Sequence, residues 1–249
     1  MILSNWLQRV RVDSLYADPK LTLRKVHRWL GLIAGIQLLL WTVSGLYFSL
    51  IPIDEIRGRH LLVNKVESPL ISRFNLISPS DLVSRYPELK DATVTDFELL
   101  VNIDSPVYLV KGIRLDAQNG KKLQPVTESE ALAIVNKRTG IKSISAILVK
   151  DVEPGSEYRG GDLPAWKIDI EDENAAIYVS TASGKIRAVR TTSWRLFDFL
   201  WSLHIMDYEE REDFNHSLLI FMSTLGVITV ASGLILFFTT QRWRIPRPG

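Results

Sequence analysis

The side chains best suited to chemistry in this sequence are its four histidines, His27, His60, His204 and His216. Cysteine is absent, which removes disulfides, thiol catalysis, cysteine-ligated iron–sulfur clusters and covalently attached c-type haem. Three of the histidines border long apolar stretches, where ionisable residues are functional candidates. Two neutral imidazoles are also the usual axial pair of a six-coordinate b-type haem. Each histidine has a plainer reading as well. His27 sits in Arg24-Lys25-Val26-His27-Arg28, where it can meet lipid headgroups, and His216 follows Asn215 at a helix start, where either can serve the helix end. His60, between Arg59 and Leu61, reads as a surface residue. His204 lies in an aromatic stretch with Trp194, Phe197, Phe199 and Trp201, which gives a polar ring little reason to be there. No Ser-His-Asp set, His-rich metal spacing or phosphate loop is present, so no catalytic residue is assigned. Asp169, Glu171, Asp172 and Glu173 read as a solvated edge.

Two uncharged stretches must position these histidines. One runs from Trp29 to Ile53 and the other from Ser217 to Gln241, each about 25 residues long. A bilayer core needs roughly 20 apolar residues in a helix. A cleavable signal has an apolar core of only about 7–15 residues, so the first stretch reads as an anchor. Arg9, Arg11, Lys20, Arg24, Lys25 and Arg28 precede it, and Arg242, Arg244 and Arg247 follow the second. The positive-inside rule then places both termini in the cytoplasm and the middle of the chain outside it. The expected organisation is a leader at 1–28, a span at 29–53, an external domain at 54–192, an interfacial amphipathic segment at 193–216, a second span at 217–241 and a tail at 242–249. A net charge of +2 argues against a nucleic-acid partner.

Between the spans the periodicity turns mostly strand-like. Ser78–Tyr86 predicts a short helix with Ser80 or Asp81 as N-cap. Thr93–Ile103 and Val107–Asp116 predict strands. Thr127–Thr139 predicts a helix opened by the capping box Thr127-Glu128-Ser129-Glu130 and closed by Gly140. Lys142–Val152, Ala165–Glu171, Ala175–Ser180 and Ile186–Arg190 predict further strands, and Glu153–Asp162, with Pro154, Gly155, Gly160 and Gly161, a flexible loop. The order helix, strand, strand, turn occurs twice. Its copies end at Leu115-Asp116-Ala117-Gln118-Asn119-Gly120-Lys121 and Val179-Ser180-Thr181-Ala182-Ser183-Gly184-Lys185, about 64 residues apart. The expected fold class is an α+β membrane protein in which two terminal helices flank two helix-on-antiparallel-sheet units.

Three features in this order carry a family resemblance. His27-Arg28-Trp29-Leu30-Gly31 resembles the opening of PepSY-associated transmembrane proteins. The corners ending Gly120-Lys121 and Gly184-Lys185 resemble the end of PepSY domains. Trp194–Tyr208, with Leu203-His204, resembles the Leu-His element before the last span, with Ile205-Met206 in place of the family's x-Gly. The resemblance implies a bacterial inner-membrane protein with a periplasmic, duplicated PepSY-like domain. Some members are reductases that bind haem b through histidines near helix ends, which makes His27, His204 and His216 the candidate ligands.

Two functions follow as expectations. In the first, haem b carries electrons from quinol or a partner protein to a periplasmic acceptor such as a ferric chelate. In the second, the chain is a non-catalytic accessory subunit that anchors or stabilises a membrane complex. A helix across the first stretch is about 37 Å long, so His27 cannot share an iron with His204 or His216 of its own chain. A symmetric homodimer would pair each histidine with its copy. Gly31 and Gly35 on one span, with Ser223, Gly226, Val230 and Gly233 on the other, suit close helix approach and leave room for a flat macrocycle. Gln37, Trp41 and Ser44 share one face of the first span.

Overall fold

The computed structural model describes residues 19–63, 74–103, 105–172 and 174–240, with side chains from residue 22 onward. Arg9, Arg11, the Lys20 side chain, Glu173, Arg242, Arg244 and Arg247 lie outside the described residues. The chain forms two compact units. One contains the described residues up to Leu46, Ser202–Asp207 and the described residues from Arg211 onward. The other contains Tyr47–Trp201 and Tyr208–Glu210.

The apolar unit rests on helix α1, Pro19–Leu50, and on the last helix of the chain, α6, Ser217–Thr240. Their apolar segments, Thr22–Leu50 and Ser217–Thr240, contain 29 and 24 residues and are long enough to cross a membrane. Only 17% of each apolar window is buried, unlike the core helix of a soluble protein. α1 begins well before the expected start at Trp29, so Arg24, Lys25 and His27 sit on helix rather than in an irregular leader.

The sheet-bearing unit contains two repeats. In the first, a short helix α2, Ile53–Ile56, precedes α3, Pro79–Arg85, and the antiparallel strands β1, Phe97–Asn102, β2, Ser105–Val110, and β3, Ile113–Asp116. Ser78, not Ser80 or Asp81, is the N-cap of α3; its hydroxyl accepts from the Asp81 amide. The expected strand Thr93–Ile103 starts late because Thr93 and Asp96 form a capping box on a 3₁₀ turn, Val94–Asp96. The expected single strand Val107–Asp116 is two strands. Lys111 and Gly112 have φ of 48° and 81°, the paired positive angles of a two-residue hairpin turn.

The second repeat has helix α4, Glu128–Thr139, and the four-stranded sheet β4, Ser143–Val149, β5, Ala165–Ile170, β6, Ala176–Ser180, and β7, Ile186–Arg190. Thr127 caps α4 by accepting from the Glu130 amide, and Gly140 ends it at φ 68°. The Glu130 carboxylate does not close the expected box. It pairs instead with Arg114 of β3, whose side chain is 4% exposed, and so ties the two repeats together.

The repeats match bond for bond. Asp116 and Ser180 each donate an amide to the lysine that ends their corner, at 2.8 and 3.0 Å, and Gly120 and Gly184 donate back at 2.8 Å. The next residues, Ala117 and Thr181, donate to the carbonyls of Pro106 and Pro164 and accept from Ile77 and Val126, which precede the helix caps. Tyr108, opposite Leu115, donates its hydroxyl to the Ile77 carbonyl; Trp166, opposite Val179, donates its indole N–H to the Val126 carbonyl. Each helix is thereby held at its start by the end of its own sheet. Leu82, Leu89, Val110 and Leu115 fill the first core. Ala131, Ile134 and Val135 of α4 meet Ile168, Ile177 and Val179 in the second. Burying each such Leu, Ile or Val contributes about 1.5–3 kcal/mol.

The second repeat adds a covered rear face. Tyr158, Ala165, Ala176, Tyr178 and Ala188 form a core on the side of the sheet away from α4, so every residue of β6 is buried. Helix α5, Thr192–Ile205, follows β7.

Candidate functional site

The three boundary histidines serve helix ends and helix contacts within the apolar unit. A helix leaves its last carbonyls without intrahelical donors, and near hydrocarbon such groups need partners from the protein. At the end of α5, Gln37 donates to the Leu203 carbonyl at 3.3 Å, Trp41 to the His204 carbonyl at 2.6 Å, and the His216 Nε2–H to the Ile205 carbonyl at 2.8 Å. The other His216 nitrogen, Nδ1, accepts the Leu219 amide in the first turn of α6. Ser44 spends its proton on the Leu40 carbonyl and receives His204 Nδ1 at 2.7 Å. On the face of Gln37, Trp41 and Ser44 expected from the sequence, Gln37 and Trp41 therefore cap α5 and Ser44 holds the His204 ring.

His27 lies on α1, with Nδ1 2.7 Å from Ser232 Oγ of α6. A Cβ on Gly233 would stand 3.0 Å from its ring, and one on Gly226 would touch Leu38 and Trp41. The glycines of α6 thus make room for side chains of α1 rather than for a macrocycle. Gly31 and Gly35 meet nothing at the Cβ position and mark no close contact in the chain. The acidic segment does fold back, bringing His216 to the residue after His204. Even so, the histidines of one chain do not fit a shared haem iron: both nitrogens of His216 are bonded to backbone, and His27 contacts the far part of α6. Among the described residues, no group of three or more His, Asp or Glu side chains is placed to hold a metal ion.

The most concentrated polar constellation lies elsewhere, in the sheet-bearing unit. The segment Glu153–Asp162 is not a flexible interruption. Tyr158 lies flat on Tyr178 of β6, with ring centres 4.3 Å apart and planes 3° from parallel. Gly161 allows this approach, since a Cβ there would stand 2.3 Å from the Tyr158 ring. Beside the stack, the Glu157 carboxylate accepts from the Tyr178 hydroxyl at 2.8 Å and from Arg195 Nε at 2.9 Å, with Lys167 Nζ at 3.6 Å. Arg159 pairs with Asp198 of α5 at 2.5 Å, and Arg190 donates to the Glu157 carbonyl. The Arg190 guanidinium lies 4.0 Å over the Trp194 ring and that of Arg159 lies at 5.7 Å.

Burial works against charge on Glu157, but the hydrogen bonds from Arg195 and Tyr178 outweigh it and hold the carboxyl below the usual range. Burial, then the bond to Glu157, pushes the Tyr178 hydroxyl well up, so it stays a donor. Burial and the neighbouring Arg159 lower Arg190. The arrangement is a clasp: one carboxylate and a tyrosine stack join the inserted loop, the rear of the second sheet and the first turns of α5. Sequence reasoning missed Glu157, Tyr158, Arg159 and Asp198. The signal was there in Glu157-Tyr158-Arg159, since a merely flexible loop has no use for a bulky aromatic between two opposite charges.

The second repeat coincides with a known domain. Residues 125–190 match the family described as peptidase propeptide and YPEB domain, PepSY. The match runs from the residue before Val126, whose carbonyl receives Trp166, through the end of β7. The first repeat lies outside it yet carries the same corner bonds. No curated protein and no solved structure matches the chain. The chain is therefore a PepSY-containing protein, with its PepSY domain at residues 125–190 set between two terminal apolar helices long enough to cross a membrane.

Proposed function

We propose that this protein is a membrane-anchored accessory subunit whose paired PepSY-type units hold an extended segment of a partner protein on the periplasmic side of a bacterial inner membrane. The apolar, largely uncovered surfaces of α1 and α6 support insertion in lipid. The cluster Arg24, Lys25 and Arg28 at the start of the first span supports a cytoplasmic N-terminal end and an external sheet-bearing unit.

The observation that carries the partner role is the edge of β4. Its residues, Ser143–Val149, include no charge and no proline, and Ile144 and Ile147 are 67% and 56% exposed. The other edges are guarded. β1 carries Glu98, paired with Lys185, β3 is bridged by Lys122, and β7 carries Arg187 and Arg190. The register shift between Ser143 and Ser145 and the bond from the Ser143 amide to Asn136 occupy the start of β4; from Ser145 to Val149 the apolar edge is a template for another strand, and strand addition gives affinity through the main chain and specificity through alternate side chains.

The test is purification of the full chain from its own membranes in mild detergent, as wild type and as Ile147→Lys. The reading expects a stoichiometric partner with the wild type that is lost from a variant of unchanged melting temperature. A partner retained by Ile147→Lys refutes it. The competing electron-transfer role is tested on the same sample: reduced-minus-oxidised b-type bands that disappear in His204→Ala overturn the accessory role.

A further inference from the structure

Four arginines and a tryptophan wall one cavity of about 400 Å³ in the sheet-bearing unit, with no acidic side chain among the described residues that line it. Two of the arginines come from the turn after α2. Gly58, at φ 65°, reverses the chain there, and a Cβ on it would stand 2.5 Å from Val189 Cγ1 of β7. That contact seats Arg57 and Arg59 on either side of the turn, over β7. The strand supplies Arg187 and Arg190, and Trp194 completes the wall beneath the Arg190 guanidinium.

Arg190 is held by the clasp, through the Glu157 carbonyl and near the Glu157 and Asp198 carboxylates, but the acidic partners of the other three are few and weakly held. Arg59 meets Asp54 at 2.8 Å and Arg187 meets Asp162 at 3.3 Å, but all four side chains are well exposed. Such pairs are worth little and exchange readily for a phosphate, which arginine binds through paired, charge-assisted hydrogen bonds. Arg57 meets no acidic side chain among the described residues.

The same unit includes residues 47–50, the last turn of the apolar segment. Tyr47, in the last turn of the Thr22–Leu50 segment, donates to the carbonyl of Ser193, the neighbour of Trp194. Phe48 stands 4.8 Å from Phe197 and 5.9 Å from Trp201, ring to ring. On the outer side of α5, Leu196 and Phe199 are exposed, as in a helix lying at a lipid boundary. Arg57 follows Leu50 by only seven residues. The cavity therefore shares its unit with the last turn of the span, residues 47–50, and the end of a span is where headgroups are found.

We propose that this cavity binds the headgroup phosphate of an anionic phospholipid. The inference rests on the membrane insertion in the function proposed above, but not on the partner role of β4. Each basic residue near an anionic surface adds about 1 kcal/mol, and four around one phosphate favour an anionic over a zwitterionic lipid.

Native mass spectrometry of the full chain in detergent, with phosphatidylglycerol and phosphatidylcholine at equal concentration, tests the site. The expected result is at least about tenfold more bound phosphatidylglycerol. Arg57→Gln with Arg187→Gln, both at exposed positions, reduces this to the phosphatidylcholine level, and Arg57→Gln alone reduces it at least about threefold. Arg85→Gln, on α3, leaves it unchanged. Equal occupancy of the two lipids, or a preference that survives in the double variant, overturns the proposal. Displacement of the lipid by an equal concentration of inorganic phosphate also overturns it, by assigning the cavity to free phosphate. Release of the protein from membranes by alkaline carbonate refutes the membrane reading itself, whereas an embedded protein with no lipid preference refutes this site alone.

Discussion

Replacing Glu157 by glutamine discharges the centre of the loop clasp while leaving its shape. The carboxylate takes bonds of 2.8 and 2.9 Å from Tyr178 and Arg195. A bond to a charged group contributes about 1.5–3 kcal/mol against about 0.5–1.5 for a neutral one, so two such bonds lose about 2 kcal/mol together. Little discount for solvent applies, because the Glu157 side chain is 23% exposed. The loss falls on local opening of the loop. When opening is fast relative to cleavage, proteolysis follows the open population, and about 2 kcal/mol raises that population about 30-fold. Trypsin reports it directly, because Arg159 precedes Gly160 within the clasped loop and pairs with Asp198. Cleavage at Arg159, followed by mass spectrometry of the fragments, should accelerate about 30-fold in Glu157→Gln. It should accelerate further in Glu157→Ala, which leaves the buried Tyr178 hydroxyl and Arg195 without their acceptor. Cutting of both variants at the wild-type rate would refute the claim that this carboxylate holds the loop.

The same group makes the clasp sensitive to acid. A carboxyl held below its ordinary value contributes fully above about pH 4.3 and loses that contribution as pH falls through the lower folded value. Thermal midpoints measured from pH 7 to pH 3 should therefore fall more steeply in the wild type than in Glu157→Gln, with the difference confined to the acid end. Among the glycines, Gly58→Ala should cost about 3 kcal/mol in urea unfolding. The left-handed backbone costs about 1–2 and overlap with Val189 about 1–3 more. Gly140→Ala, at φ 68° but facing open space, should cost only about 1.

What could be read in advance depended on how local the signal was. The N-cap at Thr127 and the corners at Gly120 and Gly184 are set by neighbouring residues and appear where expected, whereas the first apolar helix starts before Trp29 and ends at Leu50, short of the expected Ile53. The hairpin at Lys111-Gly112 hid inside an apolar run, because one glycine in a strand pattern also reads as a bulge. His216 serves the start of α6, as its plain reading has it, but the longer-range roles of the histidines were opaque for a different reason. His216 caps both α5 and α6, and His204 is held by Ser44, 160 residues away in the chain. Nothing near His204 in the sequence names that partner. The glycines and proline of Glu153–Asp162 spoke for flexibility, and only packing against Tyr178 shows the loop to be fixed.

The differences between the two repeats say more about function than their likeness does. Their shared bonds, from the helix cap to the corner, are what any such unit needs to hold a helix on its sheet. In the first repeat β1 ends at Asn102 and β2 begins at Ser105. The second replaces that join with the clasped loop, adds β7 and continues directly into α5. These additions cover the rear of its sheet and tie it to Trp194 and Asp198, yet they leave the β4 edge open. An insertion that served stability alone would gain by covering the exposed Ile144 and Ile147 as well. Covering the rear face while sparing that edge supports the strand-holding role proposed above.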